Sequence, residues 1–173
     1  MRVLLLALLL LPLAACHEDG PREEAPRSVP WHIDGQLRFF RADGTPITEI
    51  AIEVADTDSL RMRGLMDRDS FPANTGMLFI FPRAEPQAFY MANTPRSLDI
   101  LFFGADSTLL NAATYTEPLS LENVTSMGPA QYVVEMPAGF VDRFGLIPGD
   151  RIRWTRTDEA PPLDTTAAST AAP

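Results

Sequence analysis

The sequence predicts a mainly β domain of α+β type, a small barrel-like or sandwich fold of short strands with two short helices. Three observations carry this reading. Short runs with alternating apolar and polar residues recur through the middle of the chain. One run, Gly76-Met77-Leu78-Phe79-Ile80-Phe81, is continuously apolar over strand length. Turn formers punctuate these runs, as at Asp43-Gly44, Asn93-Thr94-Pro95, Gly104-Ala105-Asp106-Ser107 and Gly149-Asp150, which favours many short elements over a few long ones.

The elements follow in order. Leu37 to Phe40 reads as a strand, and Ala42-Asp43-Gly44-Thr45 as the tight turn after it. Ile47 to Val54 alternates around Ile50, Ile52 and Val54, the pattern of a half-buried strand. Asp56 or Thr57 caps a short helix running to about Met66, with Met62, Leu65 and Met66 as its apolar stripe. Gly64 costs that helix ~1 kcal/mol relative to alanine, so either a second backbone passes close by or the helix ends there. Gly76 to Phe81 has the character of a central strand buried on both faces. Ala88 to Met91, Leu98 to Phe103, Thr108 to Thr116 and Gln131 to Met136 read as further strands. Ala138 to Phe144 forms a second short helix ended by Gly145, and Arg151 to Trp154 closes the domain.

The ends differ from this block. Arg2 and the apolar run Val3 to Leu11, then Leu13-Ala14-Ala15-Cys16, read as a signal peptide over residues 1–15. The cysteine at the first mature position resembles the lipobox of bacterial lipoproteins, and the run is shorter than the ~20 residues of a spanning helix. Cys16 is therefore the expected lipidation site. The expected location is the cell envelope, periplasm-facing, with His17 in place of an inner-membrane-retaining aspartate favouring the outer membrane. Residues 16–30 form a charged, proline-rich tether, 31–157 a single globular domain and 158–173 a disordered tail.

Composition narrows the chemistry. Loss of Arg2 with the signal leaves 13 basic against 23 acidic side chains, net −10, a charge that phosphate backbones and anionic lipid headgroups repel. No nucleic-acid partner is expected, and membrane contact is assigned to the N-terminal lipid. All basic residues are arginine, which removes Schiff-base, Ser-Lys and P-loop lysine chemistry. His17 lies in the tether and His32 at the domain edge, so neither a histidine-based nucleophile system nor a zinc site has its members. No metal or cofactor is expected. Met62, Met66, Met91, Met127 and Met136 could supply soft ligands to Cu(I), but they lack a clustered motif and read as core filler.

Four segments carry a more specific pattern: Arg61-Met62-Arg63-Gly64-Leu65-Met66-Asp67-Arg68, Gly76 to Phe81, Phe89-Tyr90-Met91-Ala92-Asn93-Thr94 with Leu98-Asp99-Ile100, and Gly128 to Glu135. In this order and spacing, from about Glu49 to Ile152, the chain closely resembles the bacterial and archaeal family called domain of unknown function 192. The resemblance implies a compact, mainly β, commonly exported domain and carries no activity with it. The chain departs from the family pattern at Tyr90-Met91-Ala92, where Trp-Met-Lys is more usual, and at Ser97, where proline is frequent. Gly149-Asp150 also resembles the glycine-aspartate turn of small interlocked β-barrels and is read as a structural turn.

Two functional readings remain. The preferred one is a non-catalytic binding or assembly module for a small ligand or envelope partner, using Arg63, Tyr90, Asn93 and Thr94 with Gln131 nearby. The same residues also fit a polar network that only stabilises the fold. The alternative is a carboxylate-based hydrolase acting on envelope glycans, with Asp99 or Glu135 as the acid. Those two carboxylates lie in apolar strands, where burial raises their pKa unless each sits on a solvated strand face or pairs with Arg61, Arg63 or Arg96.

Overall fold

The computed structural model describes residues 29–157. Cys16, nearly all of the tether and the 158–173 tail lie outside the described residues. The elements in chain order are β1 (Gly35–Phe40), β2 (Pro46–Ala55), α1 (Asp58–Arg63), β3 (Thr75–Phe89), β4 (Leu98–Phe103), β5 (Leu109–Ala113), β6 (Val124–Pro137), α2 (Phe140–Phe144) and β7 (Arg151–Arg156).

All seven strands belong to one sheet in the order β5-β4-β6-β3-β2-β1-β7. Pairing is antiparallel except between β2 and β3, which are parallel, so their connection must cross over and carries α1. The sheet curls into a half-barrel, the mainly β architecture expected. Its two edge strands meet at one end. Leu109 N donates to the Asp150 carbonyl at 2.7 Å, Gly149 N to the Leu109 carbonyl at 2.9 Å, and Ile152 N to the Ser107 carbonyl at 3.1 Å. These bonds pair backbone that an open edge would leave exposed.

The Gly149-Asp150 turn makes that meeting possible. Gly149 has φ of +99°, a region costly to side-chain-bearing residues. Asp150 Oδ2 accepts from Ile147 N at 3.0 Å and from Arg41 Nη1 at 2.8 Å. Arg41 also donates to the carbonyls of Gly145 and Phe144, bracing the end of α2 against the turn.

The sheet buries apolar side chains on both faces. Leu37, Phe39, Ile50, Ile52, Leu78, Leu101, Phe103 and Val134 belong to one core cluster, joined by Phe140 and Val141 of α2. Met77, Phe79, Ile100, Phe102 and Val133 point the other way into a second cluster, covered by Leu65 and Met91. Alternation along β3, β4 and β6 thus feeds two cores, which is why their sequences are continuously apolar.

Three expectations needed correction. The expected strands Gly76 to Phe81 and Ala88 to Met91 are one strand, β3, which continues through Pro82 and Pro86. Its pairing with β6 absorbs the prolines at register shifts between Ile80 and Glu85 and between Pro86 and Ala88. Likewise β6 begins at Val124 and not Gln131. The first helix stops at Arg63, with Thr57 as N-cap and Gly64 as C-cap, and none of its residues is buried. Met62, expected on an apolar stripe, is 78% exposed, while Leu65 is buried from the segment beyond the helix.

Candidate functional site

A cleft of about 450 Å³ opens between α1 with its following turn and β3 from Phe79 to Phe89. Phe79, Phe81, Phe89 and Tyr90 supply aromatic walls, Leu65 and Met66 extend them, and Glu135 reaches in from β6. The volume lies within the range of small-molecule sites, which are typically apolar with few polar groups.

Glu135 is the unusual member. Opposite residues of adjacent strands share a face, and Glu135 pairs with Met77 and with Ile100, both in the second core. The residue is only 5% exposed, and its Oε2 is buried without a hydrogen-bond partner. Burial alone pushes the carboxyl up to about 8, so it is protonated at neutral pH.

Gly64 keeps this carboxyl within reach of the cleft. Its φ of 49° and ψ of −137° form a backbone state that glycine tolerates and other residues avoid. A Cβ placed there would stand 3.3 Å from the Phe79 ring and 3.8 Å from Glu135 Oε2, crowding the floor. Of the two explanations the sequence raised for this glycine, the helix end holds; no second backbone among the described residues passes close by, and the near neighbour is the Phe79 ring.

Arg61 holds α1 to the sheet. Its Nη1 donates to the carbonyls of Asp56 at 2.6 Å and Ile80 at 2.7 Å, and its Nη2 to Asp58 Oδ1 at 2.6 Å. The guanidinium also lies 5.5 Å from the Phe81 ring centre. The segment beyond is secured by Arg68, 3% exposed, whose Nη2 bonds Glu53 Oε1 at 2.7 Å and whose guanidinium lies 4.3 Å from the Trp31 ring centre.

The residues nominated from sequence separate into groups. Arg63, Tyr90 and Thr94 line the cleft together with Glu135. Arg63 stands half exposed at the rim, 3.8 Å from Asp67, and Tyr90 is 50% exposed. Asn93 is exposed and not among the lining residues; it turns the chain at φ 54° and its carbonyl accepts from Asp67 N at 2.8 Å. Gln131, partly buried on β6, is also outside the lining. Asp99 is fully buried elsewhere, its two oxygens accepting from Tyr115 N at 3.0 Å and Val141 N at 2.9 Å. Neither Asp99 nor Glu135 sits on a solvated face or forms an ion pair with an arginine among the described residues.

Sequence reasoning missed Phe79, Phe81, Phe89 and Gln87 as cleft residues. Phe79, Phe81 and Phe89 stood in two expected strands and Gln87 between them; that they share one wall follows only from β3 running unbroken through Pro82 and Pro86. The methionines divide too: Met91 and Met136 are buried, while Met62 and Met127 are exposed and are not core filler.

Comparison with known proteins adds kinship. A crystal structure from Sinorhizobium meliloti 1021, described as a "putative transcription regulator", is 33% identical with a TM-score of 0.68. The match covers 73% of this chain and 98% of that one. A protein of unknown function from Novosphingobium aromaticivorans DSM 12444 is 28% identical with a TM-score of 0.67, over 76% of this chain and 94% of that one. No curated protein matches. Residues 39–154 match DUF192, described as uncharacterized ACR, and the chain belongs to that family.

Proposed function

We propose that the protein is an exported, lipid-anchored envelope protein whose domain binds a small organic ligand in the Gly64–Glu135 cleft without transforming it. One observation carries the binding reading: a carboxyl with an unpaired, buried oxygen lies at an aromatic-walled cleft. An unpaired buried polar atom costs ~1–3 kcal/mol, and a ligand that pairs with it recovers that cost.

Hydrolysis of glycans by paired carboxylates has less support. Asp58 is the other carboxylate lining the cleft, and it is almost fully exposed and bonded to Arg61. The regulator description of the S. meliloti relative is not carried over, since a chain of net charge −9 repels a phosphate backbone.

The test is a thermal-shift screen of the full chain against amines, carboxylic acids and sugars with apolar bodies. A ligand at ~100 times its dissociation constant stabilises the fold by ~2.7 kcal/mol. Tyr90→Ala should abolish the shift while leaving the unliganded melting temperature in place, since Tyr90 is half exposed. A shift that survives this variant would move the site elsewhere.

A further inference from the structure

The charged groups around the cleft pair off and leave one carboxyl over. Arg61 is matched by Asp58 at 2.6 Å, and Arg63 by Asp67 at 3.8 Å. Glu135 has no cation of its own, although both arginines line the same cleft. Of the ionisable groups lining the cleft (Asp58, Arg61 and Arg63 from α1, Tyr90 beyond β3, Glu135 from β6), Glu135 is the one carboxyl without a charged partner.

The surroundings suit a positive guest. Phe79, Phe81, Phe89 and Tyr90 line the cleft, and aromatic faces attract cations. Glycine at position 64 leaves the approach to Oε2 free of a side chain. The chain as a whole is acidic and draws cations toward it.

We infer that the cleft binds an organic cation with N–H donors on a flat apolar body, an amidinium, guanidinium or ammonium, seated on the Glu135 carboxylate. This rests on the binding role proposed above and specifies its ligand class. Seating the cation ionises Glu135, whose proton leaves to bulk water. The two new charges then satisfy each other, and the orphaned Oε2 gains a donor.

Three nearly isosteric probes separate the possibilities: benzamidinium, benzamide and benzoate, titrated into the isotopically labelled full chain carrying Cys16→Ser and followed by amide shifts of Gly64 and Leu65. Benzamidinium should bind with the highest affinity. Because Glu135 titrates near 8, the competent ionised fraction rises from pH 7 to pH 9 and affinity should increase ~10-fold. Glu135→Gln, which keeps size and hydrogen-bonding capacity, should remove both the preference and the pH dependence. An affinity for benzamidinium that is flat or falling with pH, or unchanged in Glu135→Gln, overturns the assignment. If benzamide or benzoate binds better at the same amides, the cleft remains a binding site but its ligand is not a cation. If none of the three perturbs Gly64 or Leu65 at millimolar concentration, both the assignment and the binding site fall.

Discussion

Asp99 and Glu135 stand on neighbouring strands yet face opposite sides of the sheet. The β4–β6 register pairs Asp99 with Met136 and Ile100 with Glu135, and opposite residues share a face. Two carboxylates that look equivalent in sequence therefore have separate tasks: one fastens backbone, the other lies at a cleft.

Asp99 is fully buried and accepts from two backbone N–H groups, one of them on α2. In Asp99→Asn one acceptor becomes an NH2 facing a donor. Stability should drop by ~1–3 kcal/mol, read as a lower urea midpoint with an unchanged slope. A variant as stable as wild type would show that these bonds contribute nothing net.

Glu135 makes stability depend on pH. Its folded-state value of about 8 lies above the ordinary 4.5, so the folded chain keeps a proton that the unfolded chain has lost. Its contribution is fully present below about 4.5 and declines as pH rises through 8. Glu135→Gln should flatten this part of the profile and exceed wild-type stability at pH 9 by roughly 2–5 kcal/mol. Parallel profiles for the two proteins, from urea melts at pH 5, 7 and 9, would contradict it.

Gly64→Ala should cost ~1–3 kcal/mol from its backbone conformation, with contact to the Phe79 ring adding to the strain. Its methyl group also narrows the approach to Glu135. Calorimetry should therefore show a lower melting temperature and, for any ligand found, weaker binding.

Cys16 decides the proposed anchoring. Cys16→Ser should shift the protein from the membrane fraction to the soluble envelope fraction, because a doubly acylated N-terminus anchors stably where an unmodified one does not. Wild-type protein already found in the soluble fraction would reject a lipid anchor.

Much of the strand content was legible because period-two alternation and the unbroken run Gly76 to Phe81 are local patterns. β4 was read with the bounds the structure gives it, Leu98 to Phe103. The continuity of β3 across its prolines and the start of β6 were not legible. Pro82, Pro86, Gly128 and Pro129 look like loop residues in isolation, and only cross-strand pairing with register shifts draws them into a ribbon.

Local sequence pattern was enough for the mainly β class and for the turn at Gly149-Asp150; it left the end of the first helix open between Gly64 and Met66, and it could not separate Arg63, Tyr90 and Thr94, which line the cleft, from Asn93 and Gln131, which do not. Tertiary structure alone decided what Glu135 is. Desolvation depends on how many atoms surround a carboxyl and on whether any donor reaches it, and those atoms come from β3, β4 and the turn after α1. The neighbours of Glu135 in sequence, Val134 and Met136, point to the other face and say nothing about it.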